Sequence, residues 1–271
     1  MSAAAKRVLV LGLILGLGFA LPALFAPWLA PHDPYELDLS GALEPPGPGH
    51  WLGRDGQGAD ILSRLVHGAR ISLVVGLSSI AASALIGITV GLVAGYAGGA
   101  TEQALMRFVD VLLAFPGLLL AIALVAVLGP GLANVVIALA ALGWTGFARM
   151  TRAQVLAVKE LDYVMAARSL GAGPPRIMAR HILPNILGPL WVQASFSIAG
   201  AILAEASLSF LGLGAPPGTP SWGAMLADGR QTLMEAPHVS LFPGLAIMAV
   251  VLAFNLLGDA LTDWLDPRLR K

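Results

Sequence analysis

Few side chains in this chain of 271 residues are equipped for chemistry. The five histidines, His32, His50, His67, His181 and His238, include no two at the i,i+4 spacing that puts a pair of imidazoles on one metal. No metal site is therefore expected. The run from Asp55 to Asp60 resembles a cation loop in composition, but its ligand spacing fits no calcium template. Cysteine is absent, which excludes disulfides and thiolate chemistry. None of the three lysines, Lys6, Lys159 and Lys271, follows a glycine as a phosphate-binding loop requires. Any nucleotide-derived energy must then arrive from another chain. Three acids sit in or beside apolar runs, where a charge at the bilayer centre costs about 2.5–3.5 kcal/mol on insertion scales. Asp110 follows Arg107 by three residues and is expected to pair with it. Asp259 falls near an end and is expected to be solvated. Glu205, among Ala204, Ala206, Ser207 and Ser209, either lines a pathway or holds hydrogen bonds inside the fold.

The elements that position these groups follow from composition. Hydrophobic residues make up 57% and charged residues 12%, against roughly 25% charged in soluble domains. That leaves too little polar surface for a water-soluble globule, so the chain reads as an all-α polytopic membrane protein. Zero net charge gives no reason to expect a nucleic-acid partner. About 20 apolar residues cross a hydrocarbon core. Val8–Ala30 supplies 23 uncharged residues, too many for the apolar run of a secretory signal. Further spans are expected near Ile71–Gly95, Met106–Leu128, Asn134–Thr151, Asn185–Leu213 and Val239–Gly258. Gly129-Pro130-Gly131 forms the turn between the third and fourth. The alternation of a membrane β-barrel is absent.

With six spans and both termini cytoplasmic, 12 Lys and Arg fall inside and 4 outside, as the positive-inside rule requires. The division expected is residues 1–70, a first span with an outer segment, and 71–271, a five-helix core. The outer segment ends in Ile61–Val66, which has the spacing of a short interfacial helix. Small residues recur every four positions at Ser83, Gly87, Gly91, Gly95 and Gly99, and again at Gly12, Gly16 and Ala20. Such strips let helices approach closely, either within the subunit or at a dimer seam.

The longest inner segment, about Arg149–Pro189, holds six of the 16 basic residues. Two amphipathic helices, Lys159–Leu170 and Pro174–Ile182, are expected around Gly171-Ala172-Gly173. Gly171 suits a helix C-cap, and Pro174-Pro175 suit the first turn of the next helix. By itself this elbow serves equally as a passive basic anchor.

Met165-Ala166-Ala167, Gly171 and then Leu183-Pro184 resemble the EAA loop (here about residues 156–189) of ABC-importer permeases, in its dipeptide/oligopeptide/nickel branch. The stretch Leu52-Gly53-Arg54-Asp55, Gly58 and Asp60–Leu65 is similar to that branch before its second span, as is Gly68–Leu73. So are Glu205–Gly214, Pro220-Ser221-Trp222-Gly223 and Asp228-Gly229-Arg230, and near the end Phe254–Asp259 and Asp266-Pro267-Arg268. The resemblance runs from about residue 8 to 271 and points to the C-type of two permease subunits.

The resemblance implies a type I importer permease in a prokaryotic inner membrane, translocating di- or oligopeptides. Its partners would be a homologous second permease, two cytoplasmic ATPases that carry the ATP and magnesium, and an extracytoplasmic peptide-binding protein. The chain itself would bind no cofactor and catalyse nothing. Coupling to the ATPase would fall to Tyr163, Met165, Ala166, Ala167, Arg168, Gly171, Ala172, Pro174, Pro175, Leu183 and Pro184. Arg168 would face acidic groups on the motor, and Glu205, Ser209 and Asn255 would border the pathway or the subunit interface. Met165 stands where the family has Glu, which removes a charged contact. His181 stands where the broader pattern has Ile, and Arg54 and Ala59 where the branch has Thr and Arg. Nickel, glutathione or another small solute is the rival cargo. A secondary carrier would show inverted halves with broken helices, and no such symmetry is found; a lipid-binding scaffold is the remaining class.

Overall fold

The computed structural model describes residues 3–265, with side chains from residue 9 onward. The Asp266-Pro267-Arg268 motif and the basic residues Arg268, Arg270 and Lys271 lie outside them. Backbone in lipid must satisfy its own hydrogen bonds, and among the described residues the ordered elements are helical, with one isolated bridge between Arg54 and Asp60.

Five helical runs are long and apolar enough to cross a membrane. The first is α1, Ala3–Leu29, bent at Phe25 between Pro22 and Pro27. Then come α2, Ile61–Ala97, and α5, Leu132–Val158. The fourth run spans Pro174–Phe210: α7, Pro174–Ile177, a π-helical stretch Met178–Ile182, and α8, Leu183–Phe210. The fifth is α10, His238–Leu265. The remaining expected span, Met106–Leu128, is not straight. It divides into α3, Gly99–Leu113, and α4, Gly117–Leu128, bent by 86°. Pro116 lacks an N–H and biases Phe115 away from helical backbone, which breaks the run there. At 1.5 Å per residue the two halves are only about 22 and 18 Å long, so neither alone crosses about 30 Å of hydrocarbon.

Two more expectations change. Ile61–Val66 is not a separate interfacial helix but the opening of α2, which at 37 residues is about 55 Å long. The stretch after α8, for which no helix is expected, contains α9, Trp222–Gly229, capped by Ser221, whose Oγ accepts from the Ala224 N–H. Trp222 is buried and donates from Nε1 to the Leu65 carbonyl at 2.9 Å. A Cβ on Gly223 would lie 2.1 Å from the Ala206 carbonyl oxygen, so only glycine lets α9 seat against α8.

The small-residue strip of α2 faces α5 within the subunit. A Cβ on Gly87 would lie 2.3 Å from the Trp144 carbonyl oxygen, and one on Gly91 2.5 Å from Cβ of Thr151. One on Gly95 would lie 2.8 Å from Cβ of Val155, and Ser83 donates to the Ala140 carbonyl at 3.5 Å. Gly99 lies beyond the end of α2 and meets nothing. In α1, Gly12 and Gly16 give room to Leu256 and Leu257 of α10.

The segment between α1 and α2 folds onto the helix ends. Buried Asp55 pairs with buried Arg64 and accepts backbone N–H bonds from Gln57 at 2.8 Å and Ala59 at 3.0 Å. Arg54, unusual for the branch, pairs with Asp38 and with Glu44. Hydrogen bonds from Ser40 and Arg54 hold the Asp38 carboxyl below its ordinary pKa. The departure at position 54 thus has a structural occupation, tying two points of the segment together.

Candidate functional site

The elbow begins at the end of α5, where Lys159 Nζ donates to the Gly95 carbonyl at 3.0 Å and fastens that end to α2. The helix after it, α6, spans Asp162–Ser169 and starts three residues later than the expected Lys159. Its single buried side chain, Val164, packs with Val155, Ile177, Ile182 and Ile186. Tyr163 donates its hydroxyl to the His181 carbonyl at 3.2 Å. Arg168 places its guanidinium 5.6 Å from the centre of the Tyr96 ring, while remaining exposed. Expected as a contact for a partner's acids, Arg168 also braces α6 against α2.

Gly171 ends the helix with φ +85°, the left-handed region that costs glycine nothing. The Ala172 N–H bonds the Ala167 carbonyl at 3.1 Å and the Gly171 N–H bonds that of Arg168 at 3.0 Å, the paired bonds of a Schellman cap. Gly173 then caps α7 at φ −72°, with Pro174 and Pro175 in the first turn. The expected second helix, Pro174–Ile182, does not stop before the span but runs straight into it. The Leu183 N–H reaches back five residues to the Met178 carbonyl. Pro184, with no N–H and a ring that crowds the carbonyl four residues back, favours this wider turn. The His181 carbonyl accepts from both Tyr163 and the Asn185 amide, the latter at 2.8 Å. The Leu-Pro pair therefore shapes the joint between elbow and span.

What α6 leaves uncovered is equally specific. Leu161, Tyr163, Met165, Ala166 and Leu170 are exposed, Leu170 by 89%. A Cβ on Gly171 or Gly173 would meet nothing in this chain. The elbow is anchored on one side and presents a small, apolar surface on the other.

Ion pairs brace α3 against α5 on the same side. Asp110 pairs with Arg149 at 2.6 Å, not with the nearer-in-sequence Arg107. One turn away, Arg152 Nε donates to Glu102 at 2.6 Å. The local pairing expected for Asp110 fails because its partner comes from 39 residues away on a neighbouring helix.

The three expected pathway residues are not gathered at an open surface. Glu205 is fully buried; it accepts from Ser209 Oγ at 2.7 Å and from Ser72 Oγ of α2 at 3.3 Å. Ser209 is buried as well and accepts from the Ala215 N–H at 3.2 Å. Asn255, half-buried, donates to the Val251 carbonyl four residues back at 2.7 Å. For Glu205 this geometry supports the hydrogen-bonding alternative. Glu205→Gln keeps an acceptor for one serine and a donor for the other, so the variant is expected to fold and transport near the wild-type rate. Glu205→Leu loses both bonds, at about 1–3 kcal/mol for buried groups left unpaired, and a lower yield of folded protein follows. A correctly folded Gln variant that does not transport would return Glu205 to the pathway.

Sequence reasoning missed an open cavity of about 310 Å³ between α2, α4, α5 and α8, bordered by Ile80, Gly117, Leu118, Gly143, Ser197 and Gly200. Gly117 and Gly200 have nothing within 4 Å of where a Cβ would stand. Nothing in the sequence marks these two among 32 glycines, because the open space beside them is made by four separate helices.

The profile of the family described as binding-protein-dependent transport system inner membrane component matches residues 87–271. The chain belongs to that family. A second profile, the N-terminal transmembrane domain of oligopeptide transport permease C, matches residues 4–46. Among relatives of this permease, a dipeptide transport system permease protein of Alkalihalophilus pseudofirmus is 45% identical over 98% of this chain and 87% of its own. A di/tripeptide permease protein of Pseudomonas aeruginosa is 49% identical, over 96% and 88%. A glutathione transport system permease protein of Pectobacterium atrosepticum is 49% identical, over 92% and 83%. The inward-facing MetNI methionine ABC transporter has a chain that matches with a TM-score of 0.58 at 18% identity, over 73% of this chain and 94% of that one, a likeness of fold. The family and the apolar runs make the chain a multi-pass permease component of an ABC importer.

Proposed function

We propose that this permease moves di- or oligopeptides across a prokaryotic inner membrane, driven by separate ATPases that close when they bind ATP. The observation that carries the coupling role is the elbow: α6 is fastened to α2 and α8 while its outward face, ending at Gly171, is left bare. A cleft on one motor subunit would receive that face and draw α7 and α8 with it. With both termini cytoplasmic, the folded outer segment would meet a peptide-binding protein, and exposed Leu37, Leu39 and Trp51 there fit such a contact. Cargo would pass along the interface with a second, homologous permease, and the cavity near Gly117 and Gly200 would open onto that route. The absence of any lysine in a phosphate-loop setting supports ATP acting in trans. The peptide assignment rests on relatives named for dipeptides at 45–49% identity. Glutathione is the second reading, because permeases named for it are equally similar.

Proteoliposomes holding the permease with its second permease, ATPases and binding protein test this. Dipeptides should stimulate ATP hydrolysis and accumulate inside; glutathione alone doing so would select the second reading. Accumulation by the purified chain with no motor present would overturn the coupled mechanism.

A further inference from the structure

We propose that His32, His50 and Asp60 form a binding site for one divalent transition ion of the zinc class, joining the outer end of the first span to the start of the second. The three residues are 18 and 10 positions apart, so no helical or loop template announces them. The fold brings a ligand atom from each within 4.8 Å of the others.

The arrangement is that of a first coordination set rather than of a hydrogen-bonded cluster alone. Asp60 caps α2, and its Oδ2 is occupied by the Ser63 N–H at 2.8 Å and hydroxyl at 2.7 Å. Its Oδ1 faces both imidazoles, with His50 Nδ1 at 2.9 Å and His32 Nδ1 at 3.7 Å. His50 makes a hydrogen bond there; His32 Nδ1 is buried and has no hydrogen-bond partner. A buried nitrogen without a partner is costly, and an ion seated between the three groups would take its lone pair. Zinc–ligand bonds of about 2.0–2.1 Å in a tetrahedron put neighbouring ligand atoms about 3.4 Å apart. The two distances to Asp60 Oδ1 bracket that value. Two imidazoles and one carboxylate are a zinc-type donor set, with the fourth position left to solvent.

The surroundings favour a cation. Burial raises the Asp60 carboxyl's affinity for a proton, but hydrogen bonds from His50 and Ser63 outweigh it and hold the group below its ordinary pKa of 3.8. The cleft beside it, about 240 Å³, is bordered by Asp33, Glu36 and Asp38, and its one cation, Arg54, is engaged by Asp38 and Glu44. The ligands are also held in place. Ser63 Oγ accepts from the His32 N–H at 3.0 Å while donating to Asp60, and the His50 carbonyl accepts from the Gly47 and Gly53 N–H groups. This site stands apart from the transport reading, and either can fail without the other.

The test uses the full chain with its co-assembling subunits, carrying no polyhistidine tag, chelator-stripped and placed in lipid nanodiscs. Titration with zinc against a chromophoric chelator should reveal one site per permease that is lost, or weakened at least a hundredfold, in His50→Gln. His32→Gln should weaken it at least tenfold, and His67→Gln, outside the cluster, should leave it intact. Cobalt in place of zinc should give visible ligand-field bands that vanish in the His32→Gln/His50→Gln double variant. Equal zinc affinity in the wild type and the double variant, or cobalt without those bands in the wild type, would overturn the proposal and leave a cluster that binds protons only.

Discussion

Replacing Gly173 by Leu is expected to cut import at least tenfold while the permease accumulates and assembles normally. The backbone there has φ −72°, which any residue adopts, and nothing in this chain stands within 4 Å of the new Cβ. The fold has no reason to object. A partner seated over the elbow does, since the added side chain would hold its surface away, and a loss of only about 1.4 kcal/mol is already tenfold. Gly171→Leu should abolish import too, but it forces a side chain into left-handed backbone at roughly 1–2 kcal/mol, so its effect mixes local strain with lost contact. Uptake and ATP hydrolysis measured on the same proteoliposomes distinguish coupling from assembly. Import by Gly173→Leu at the wild-type rate would leave the elbow as a passive anchor.

Gly91→Leu should have the opposite character: no folded permease accumulates. The new Cβ would lie 2.5 Å from Cβ of Thr151 and 2.6 Å from the Ala148 carbonyl oxygen. Backbone cannot rotate aside as a flexible side chain can, so α2 and α5 must separate along their whole contact. Overpacking in well-filled cores costs about 1–3 kcal/mol and occasionally more; here it is compounded by the loss of close packing at Gly87 and Gly95. Gly18→Leu, where nothing lies within 4 Å, is the matched control and should fold. The monodisperse fraction after detergent extraction measures both. A Gly91→Leu variant that extracts and unfolds like the wild type would mean that the two helices do not touch as described.

What could be read from sequence was local or periodic. The apolar runs gave the five long spans, because the penalty for unsatisfied backbone in lipid leaves few alternatives, but not their ends: α2 starts ten residues before the expected Ile71, and α5 and α10 each run seven residues past the expected end. The four-residue strip gave the face of α2 but not its partner, which only the fold supplies. Gly171 was legible as a cap because its conformation is set by neighbours within five residues. Distance in sequence hid the rest. Asp110 pairs across 39 residues instead of three, and Glu205 reaches a serine 133 positions away. His32, His50 and Asp60 converge only because the segment between α1 and α2 doubles back over the start of α2. The bend after α3 did carry a signal in Phe115-Pro116, which unbroken hydropathy concealed.

The tight seam between α2 and α5 limits how any stroke of this transporter can run. Parting those two cylinders would pull main-chain atoms out of contact along some three turns, so they must travel together as one beam. Whatever play the machine has is left to its hinges, the break at Ala114–Pro116 beside the middle of the two struts and the joint at Gly171–Gly173 past the Val158 end of one of them.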